Sequence, residues 1–204
     1  MKIIFATGNQ DKMREIREIF ADLNMEILSM KEAGISVDVK EDGKTFEENA
    51  ILKARSVATA LPAEDEETIV MADDSGLVID ALDGEPGIYS SRYMGEKTSY
   101  HIKNNNLIQR LMGVPDEKRT ARFVCAIAAI LPDGEDMVVR GTIEGWIGYE
   151  ERGVNGFGYD PIFWLPGKKI STAEIPPEEK NGISHRGNAL RSIRTKLEAK
   201  GYGR

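Results

Sequence analysis

The sequence predicts an α/β protein: a long, twisted, mixed β-sheet with flanking helices, forming one domain over residues 1–204 with two lobes around a central cleft. Three observations lead there. Short apolar runs rich in β-branched residues alternate with stretches whose apolar residues recur at helical spacing. Pro132-Asp133-Gly134 lies between two long apolar stretches and is turn chemistry, which adds an antiparallel pair to the sheet. With 41% hydrophobic residues in 204, the chain can bury a substantial core, and no repeat or low-complexity linker divides it.

Taken in order, Lys2 to Ala6 reads as a first strand, punctuated by Thr7-Gly8-Asn9. Met13, Ile16, Ile19, Phe20 and Leu23 keep helical spacing, so Asp11 to about Leu23 is an amphipathic helix with Asp11 as its cap. Met25 to Leu28 is a short second strand. Phe46, Ala50, Ile51, Ala54, Val57 and Ala58 mark a second helix, with Thr45 at its N-cap. Thr68 to Ala72 is a buried strand that ends at Asp73-Asp74-Ser75-Gly76. Ser99 to Met112 is a weaker helical pattern. Ala121 to Leu131 and Met137 to Ile147 form the hairpin, and Ala189, Leu190, Ile193 and Leu197 define a final helix.

Composition excludes several classes. The net charge of −7 argues against a broad nucleic-acid surface, which needs clustered Lys and Arg. It leaves room for a small polyanion in a locally basic pocket. One cysteine rules out a disulfide framework within the chain, and Cys125 in Phe123-Val124-Cys125-Ala126-Ile127 reads as core filling. No run approaches the roughly 20 apolar residues of a membrane span, and the amino terminus lacks a signal-peptide pattern. The expectation is a reduced, cytoplasmic protein without membrane association. The acidic run Glu64-Asp65-Glu66-Glu67 reads as a solvated loop, and His101 as a surface histidine.

The chemistry concentrates in five segments. Asp73-Asp74 places two carboxylates where a strand runs out, the usual place for a ligand in such sheets. Keeping both charged is costly without a nearby cation, commonly a metal. Thr7-Gly8-Asn9-Gln10-Asp11-Lys12 is a strand-to-helix junction whose free N–H groups and Lys12 suit a phosphate, although taken by itself it reads first as a capped helix after a strand. Asn49 and Lys53 lie four apart on one helix face, and Glu41 just before that helix can join Asp74 at a metal. In Gly153-Val154-Asn155-Gly156-Phe157-Gly158-Tyr159-Asp160-Pro161, Phe157 can stack on a base or plug the core. Lys180-Asn181-Gly182-Ile183-Ser184-His185-Arg186-Gly187 supplies cations and directional donors. Ser184 and His185 are adjacent and lack a nucleophile elbow, so a hydrolase triad is discounted.

In this order the motifs resemble the inosine triphosphate pyrophosphatase family, which hydrolyses non-standard purine nucleoside triphosphates. The resemblance runs from Thr7-Gly8-Asn9 to Ser184-His185-Arg186-Gly187. Ser75-Gly76-Leu77 through Pro86-Gly87-Ile88-Tyr89-Ser90 and Gly156-Phe157-Gly158-Tyr159-Asp160-Pro161 are its most specific parts. It implies Mg²⁺-dependent cleavage of ITP, dITP or XTP to the monophosphate and pyrophosphate, a nucleotide cleft between the lobes, and a homodimer. Carried over residue by residue, Asp74 is the proton acceptor and, with Glu41, holds the metal. Thr7, Gly8, Asn9, Gln10, Asp11, Lys12 and Lys53 take the triphosphate. Ser75, Phe157, Gly158, Tyr159, Asp160, Lys180, His185 and Arg186 bind the nucleotide. A nucleotide-binding module without turnover and a phosphatase releasing orthophosphate are the alternatives.

Overall fold

The computed structural model describes residues 1–62, 65 and 67–203. A six-stranded sheet runs in the order β2-β1-β3-β4-β5-β6. Its strands are β1 (Lys2–Phe5), β2 (Glu26–Ser29), β3 (Thr68–Ile79), β4 (Thr120–Ile130), β5 (Asp136–Ile147) and β6 (Phe163–Trp164). The helices are α1 (Gln10–Ile19), α2 (Phe46–Thr59), α3 (Tyr100–Arg110), α4 (Pro177–Ile183) and α5 (His185–Ala199). β1 pairs in parallel with both β2 and β3, whereas β6 lies antiparallel to β5, so the sheet is mixed as expected. Neighbouring strands β4 and β5 are joined through Leu131 to Glu135, where Leu131 N donates to Glu135 O at 2.8 Å and Gly134 N to Leu131 O at 2.9 Å. So short a connection suits only an antiparallel pair.

The chain divides into two compact units. The first comprises 1–74, 125–141 and 186–204, and the second 75–124 and 142–185. In the first, Ile3 and Phe5 of β1, Met13, Ile16 and Phe20 from the α1 segment, Cys125, Ile127 and Ala129 of β4, and Ala189, Leu190 and Ile193 of α5 form one buried cluster. The period-3.6 stripes of α1 and α5 thereby meet strand residues, and Cys125 fills core volume as its sequence context implied. In the second unit Leu77, Ile79, Leu107, Leu111, Phe123, Ile147, Tyr159, Ile162 and Phe163 pack together.

Three boundaries depart from the sequence reading. Asn9, not Asp11, caps α1: its backbone is extended (φ −83°, ψ 113°) and its Oδ1 accepts from Asp11 N and Lys12 N. A cap must lie outside helical φ/ψ, and Asp11 lies within the first turn. The helix also ends at Ile19, because Phe20 leaves helical geometry (φ −99°, ψ 13°) as the chain enters Ala21-Asp22-Leu23-Asn24, where Asp and Asn favour turns. Phe20 and Leu23 stay buried outside the helix. Lastly, β3 does not stop at Ala72 but continues through Asp73-Asp74-Ser75-Gly76 to Ile79. Composition there favours a turn, but cations from α1, α2 and α5 neutralise the aspartates and let the strand continue. Of the acidic run, Glu64 and Glu66 lie outside the described residues, and Asp65 pairs with Lys2. No described helix is long and apolar enough to cross a membrane.

Candidate active site

Within the first unit, β3 presents its two aspartates to different partners, as strand alternation requires. Asp74 Oδ1 takes the Lys53 ammonium at 3.1 Å, and its Oδ2 accepts from Asn49 Nδ2 at 3.2 Å. Both partners come from α2, four residues apart, so one helix face addresses one carboxylate. Thr45 starts that helix by accepting from Glu48 N, as predicted. Lys53 Nζ also meets Glu41 Oε1 at 3.4 Å, which brings Glu41 and Asp74 to a common cation.

Asp73 is 1% exposed in its side chain and faces the opposite set. Its Oδ2 lies 2.8 Å from Lys12 Nζ and 3.3 Å from the Arg186 guanidinium. Arg186 is itself 2% exposed and is also bound by Glu15 of α1. The two neighbouring carboxyls therefore titrate in opposite directions. Burial raises the Asp74 carboxyl above its ordinary value, with Lys53 opposing the rise and Glu41 adding to it. Burial would also raise Asp73, but Lys12 and Arg186 outweigh it and hold that carboxyl well below the usual range. Lys53 loses stability as an ammonium through burial, yet Asp74, Asp73 and Glu41 keep it charged. Two carboxyls pushed apart by their surroundings are a signature of divided acid–base roles.

At the β1–α1 junction Thr7 Oγ1 accepts from Asn9 N at 3.2 Å, while Asn9 satisfies the amides of Asp11 and Lys12. Part of the anion-binding capacity of the helix start is thus already used. The amides of Gly8 and Gln10 find no acceptor among the described residues. Gly8 is exposed, and a Cβ there would meet nothing within 4 Å, so the bare backbone is open to a ligand.

The second unit holds the remaining predicted residues. Asp160 Oδ2 accepts from Phe157 N at 2.9 Å and from Lys180 Nζ at 2.6 Å, while Oδ1 accepts from Thr172 Oγ1 at 2.8 Å. This buried carboxylate folds 157–160 around itself. Gly156 (φ 70°) permits it, because any Cβ would collide with the Asp160 carboxylate. Lys180 Nζ lies 5.1 Å from the centroid of the Phe157 ring. Of the two aromatics, Tyr159 is the plug: it is 4% exposed, sits edge-on to Tyr100, and donates its hydroxyl to Ser90 O at 2.7 Å. Burial pushes its phenol up and keeps it a donor. Phe157 is half-buried and Ser75 likewise. The His185 ring stacks on Phe123, with centroids 4.8 Å apart and planes 19° apart. His101 is exposed, as its sequence context implied, and pairs with Glu151.

Sequence reasoning singled out neither Glu15 nor Asn104. Glu15 lies off the apolar stripe of α1, and its partner is 171 residues away, so spacing carries no signal for it. Asn49 was detectable through its i,i+4 relation to Lys53.

A divalent cation fits this donor set. The Glu41 and Asp74 carboxylates already converge on the Lys53 ammonium, so two negatively charged oxygens face one cation position. Among the described residues no group of three or more His, Cys, Asp or Glu side chains forms a metal cage. Glu41 and Asp74 are therefore the two carboxylates that would hold a divalent cation, with substrate phosphate and water as further ligands.

The model of the Ham1 family matches residues 3–196. The chain is 48% identical over 198 residues to the dITP/XTP pyrophosphatase of Clostridium perfringens, covering 97% of each protein. It superposes on the structure of the Staphylococcus aureus Ham1 protein with a TM-score of 0.85 at 42% identity, covering 98% of this chain and 100% of that one. It also matches the nucleoside-triphosphatase, dITP/XTP pyrophosphatase, of Mycobacterium abscessus with a TM-score of 0.74 at 38% identity.

Proposed function

Because the chain belongs to the Ham1 family, we propose that it hydrolyses non-standard purine nucleoside triphosphates (ITP, dITP and XTP) to the monophosphate and pyrophosphate. One observation carries the reading: Asp74 is held by Lys53 and Asn49 with a raised carboxyl beside a firmly ionised Asp73. A raised carboxylate is the better proton acceptor, and a base gains efficiency as its pKa approaches working pH.

In this mechanism Asp74 takes a proton from water as the water oxygen bonds to the α-phosphorus, the bond from that phosphorus to the α–β bridging oxygen breaks, and pyrophosphate leaves with the bridging oxygen. Phosphoryl transfer asks mainly for positioning and charge neutralisation. Lys12, fixed by Asp73, and the open amides of Gly8 and Gln10 bind phosphate oxygens in the reading, with Thr7, Asn9 and Asp11 shaping the junction. Lys53 adds positive charge beside Asp74. Mg²⁺, held by Glu41 and Asp74, would neutralise developing negative charge on the phosphates. Ser75, Phe157 to Asp160, Lys180, His185 and Arg186 take the rest of the nucleotide.

Among donors for the 6-keto oxygen of hypoxanthine or xanthine, Arg186 is committed to Glu15 and Asp73. The amides of Gly158 and Tyr159 have no acceptor among the described residues, so in this reading they address the base. Adenine, with a 6-amino group, would leave them unpaired, and such mismatches discriminate by roughly 10⁴-fold or more. The family reading also carries a homodimer and a cytoplasmic location, with neither membrane nor nucleic acid as partner. Incubating the protein with ITP and MgCl₂ and separating the products tests the proposal. IMP and pyrophosphate are expected. Orthophosphate would establish a phosphatase instead, and binding without turnover would establish a nucleotide-binding module.

A further inference from the structure

The loop assigned above to the base is not held by its own residues alone. Asn104 of α3 is 1% exposed, and its Nδ2 donates both to Gly158 O at 3.2 Å and to Glu151 Oε1 at 2.6 Å. Both partners are acceptors, so the amide can stand only one way round: turning it over would set Oδ1 against a carbonyl and a carboxylate. Glu151 is fixed in turn, since its other oxygen meets His101 Nδ1 at 2.5 Å. One turn earlier, Tyr100 packs its ring 3.6 Å from where a Gly158 Cβ would stand and sits edge-on to Tyr159 at 5.1 Å.

We propose that Asn104, clamped by Glu151, is a positioning residue that sets the Gly158–Tyr159 peptide and thereby aims the base-reading amide. The inference rests on the proposed function and names the residue behind it. A trans peptide points its C=O and N–H in opposite directions. Drawing Gly158 O toward Asn104 therefore turns the Tyr159 N–H away from α3. That N–H has no acceptor among the described residues, so its direction is available to recognition. Gly158 has φ 68° and lacks a side chain, so it would otherwise adopt several peptide orientations. The neighbouring bonds of Phe157 N and of Asp160 N, which donates to Phe157 O at 3.3 Å, anchor the ends of the turn without fixing its middle peptide.

The test is Asn104→Asp, which preserves shape but replaces the donor by an acceptor facing Gly158 O and Glu151. KM for ITP and the dissociation constant for IMP should each rise about tenfold, the size of one lost hydrogen bond. kcat should change far less, and inhibition by inorganic pyrophosphate should stay within twofold. The ITP-to-ATP ratio of kcat/KM should also narrow. A merely structural role would weaken IMP and pyrophosphate alike, and that result overturns the proposal, as does unchanged IMP affinity. If this variant does not fold, Asn104→Ala with the same readouts decides, because it removes the donor without adding charge. Wild-type protein that releases no pyrophosphate from ITP would bring down the functional reading itself. A variant effect on pyrophosphate equal to that on IMP, in an active wild type, brings down only the role of Asn104.

Discussion

Asp73 and Asp74 are adjacent and chemically alike, yet substitution by the same amide should have opposite consequences. Asp74→Asn is expected to keep the fold and lose turnover by roughly 10²–10⁴-fold, because an amide cannot accept the proton. ITP assays together with a melting curve check this, and a variant retaining most activity would move the base elsewhere. Asp73→Asn leaves the half-buried Lys12 and the buried Arg186 beside a neutral group. Breaking a buried pair costs about 3 kcal/mol or more, which for a chain of this size lowers Tm by roughly 10 °C. An unchanged Tm would show that Glu15 alone satisfies Arg186. Glu32 offers an independent check on local electrostatics. The backbone and hydroxyl of Ser29, with Arg17, hold its carboxyl down to about 2. Being depressed, it contributes stability that is present above the unfolded value and fades only as pH falls toward 2. Carboxyl ¹³C titration should find Glu32 ionised at pH 3.5, and Ser29→Ala should raise its midpoint.

At the scale of elements, α2 shows what a sequence can and cannot announce. Its N-cap, its apolar stripe and the shared face of Asn49 and Lys53 are all local, and each appears in the structure as read. Replacing Thr45 by Ala should cost about 1 kcal/mol, a Tm drop of roughly 2–4 °C, with kcat nearly unchanged because the Asp74 contacts lie one turn further on. A large fall in kcat without loss of stability would mean that the cap positions Asn49. The length of β3 was not legible, because Asp-Asp-Ser-Gly is turn composition until its distant cations are known. The cap of α1 was misplaced for a related reason. Asn9 and Asp11 are both good cap types, and only backbone dihedrals distinguish them. The choice of Tyr159 over Phe157 as the core plug likewise depended on Ser90 and Tyr100, far away in sequence.

For the molecule as a whole, charge sets the terms on which a triphosphate can bind. The chain carries −7, so at long range it repels a substrate of about four negative charges. Close in, the described cluster offers little relief: Lys12, Lys53 and Arg186 face Glu15, Glu41, Asp73 and Asp74, three positive charges against four negative, which leaves a net charge of −1. One divalent cation reverses that sign, and Glu41 with Asp74 is the place in the cluster where two carboxylates already share a cation. ITP hydrolysis should therefore vanish in excess EDTA and return with MgCl₂. Equilibrium dialysis of ITP without metal should show affinity improving as salt rises from about 20 to 200 mM, since screening weakens a net repulsion. With Mg²⁺ present that gain should disappear or reverse. Full activity in EDTA would show that the lysines and arginine suffice. Metal-free affinity that falls with salt would show that the phosphates meet Lys12 and Lys53 without feeling the surrounding carboxylates.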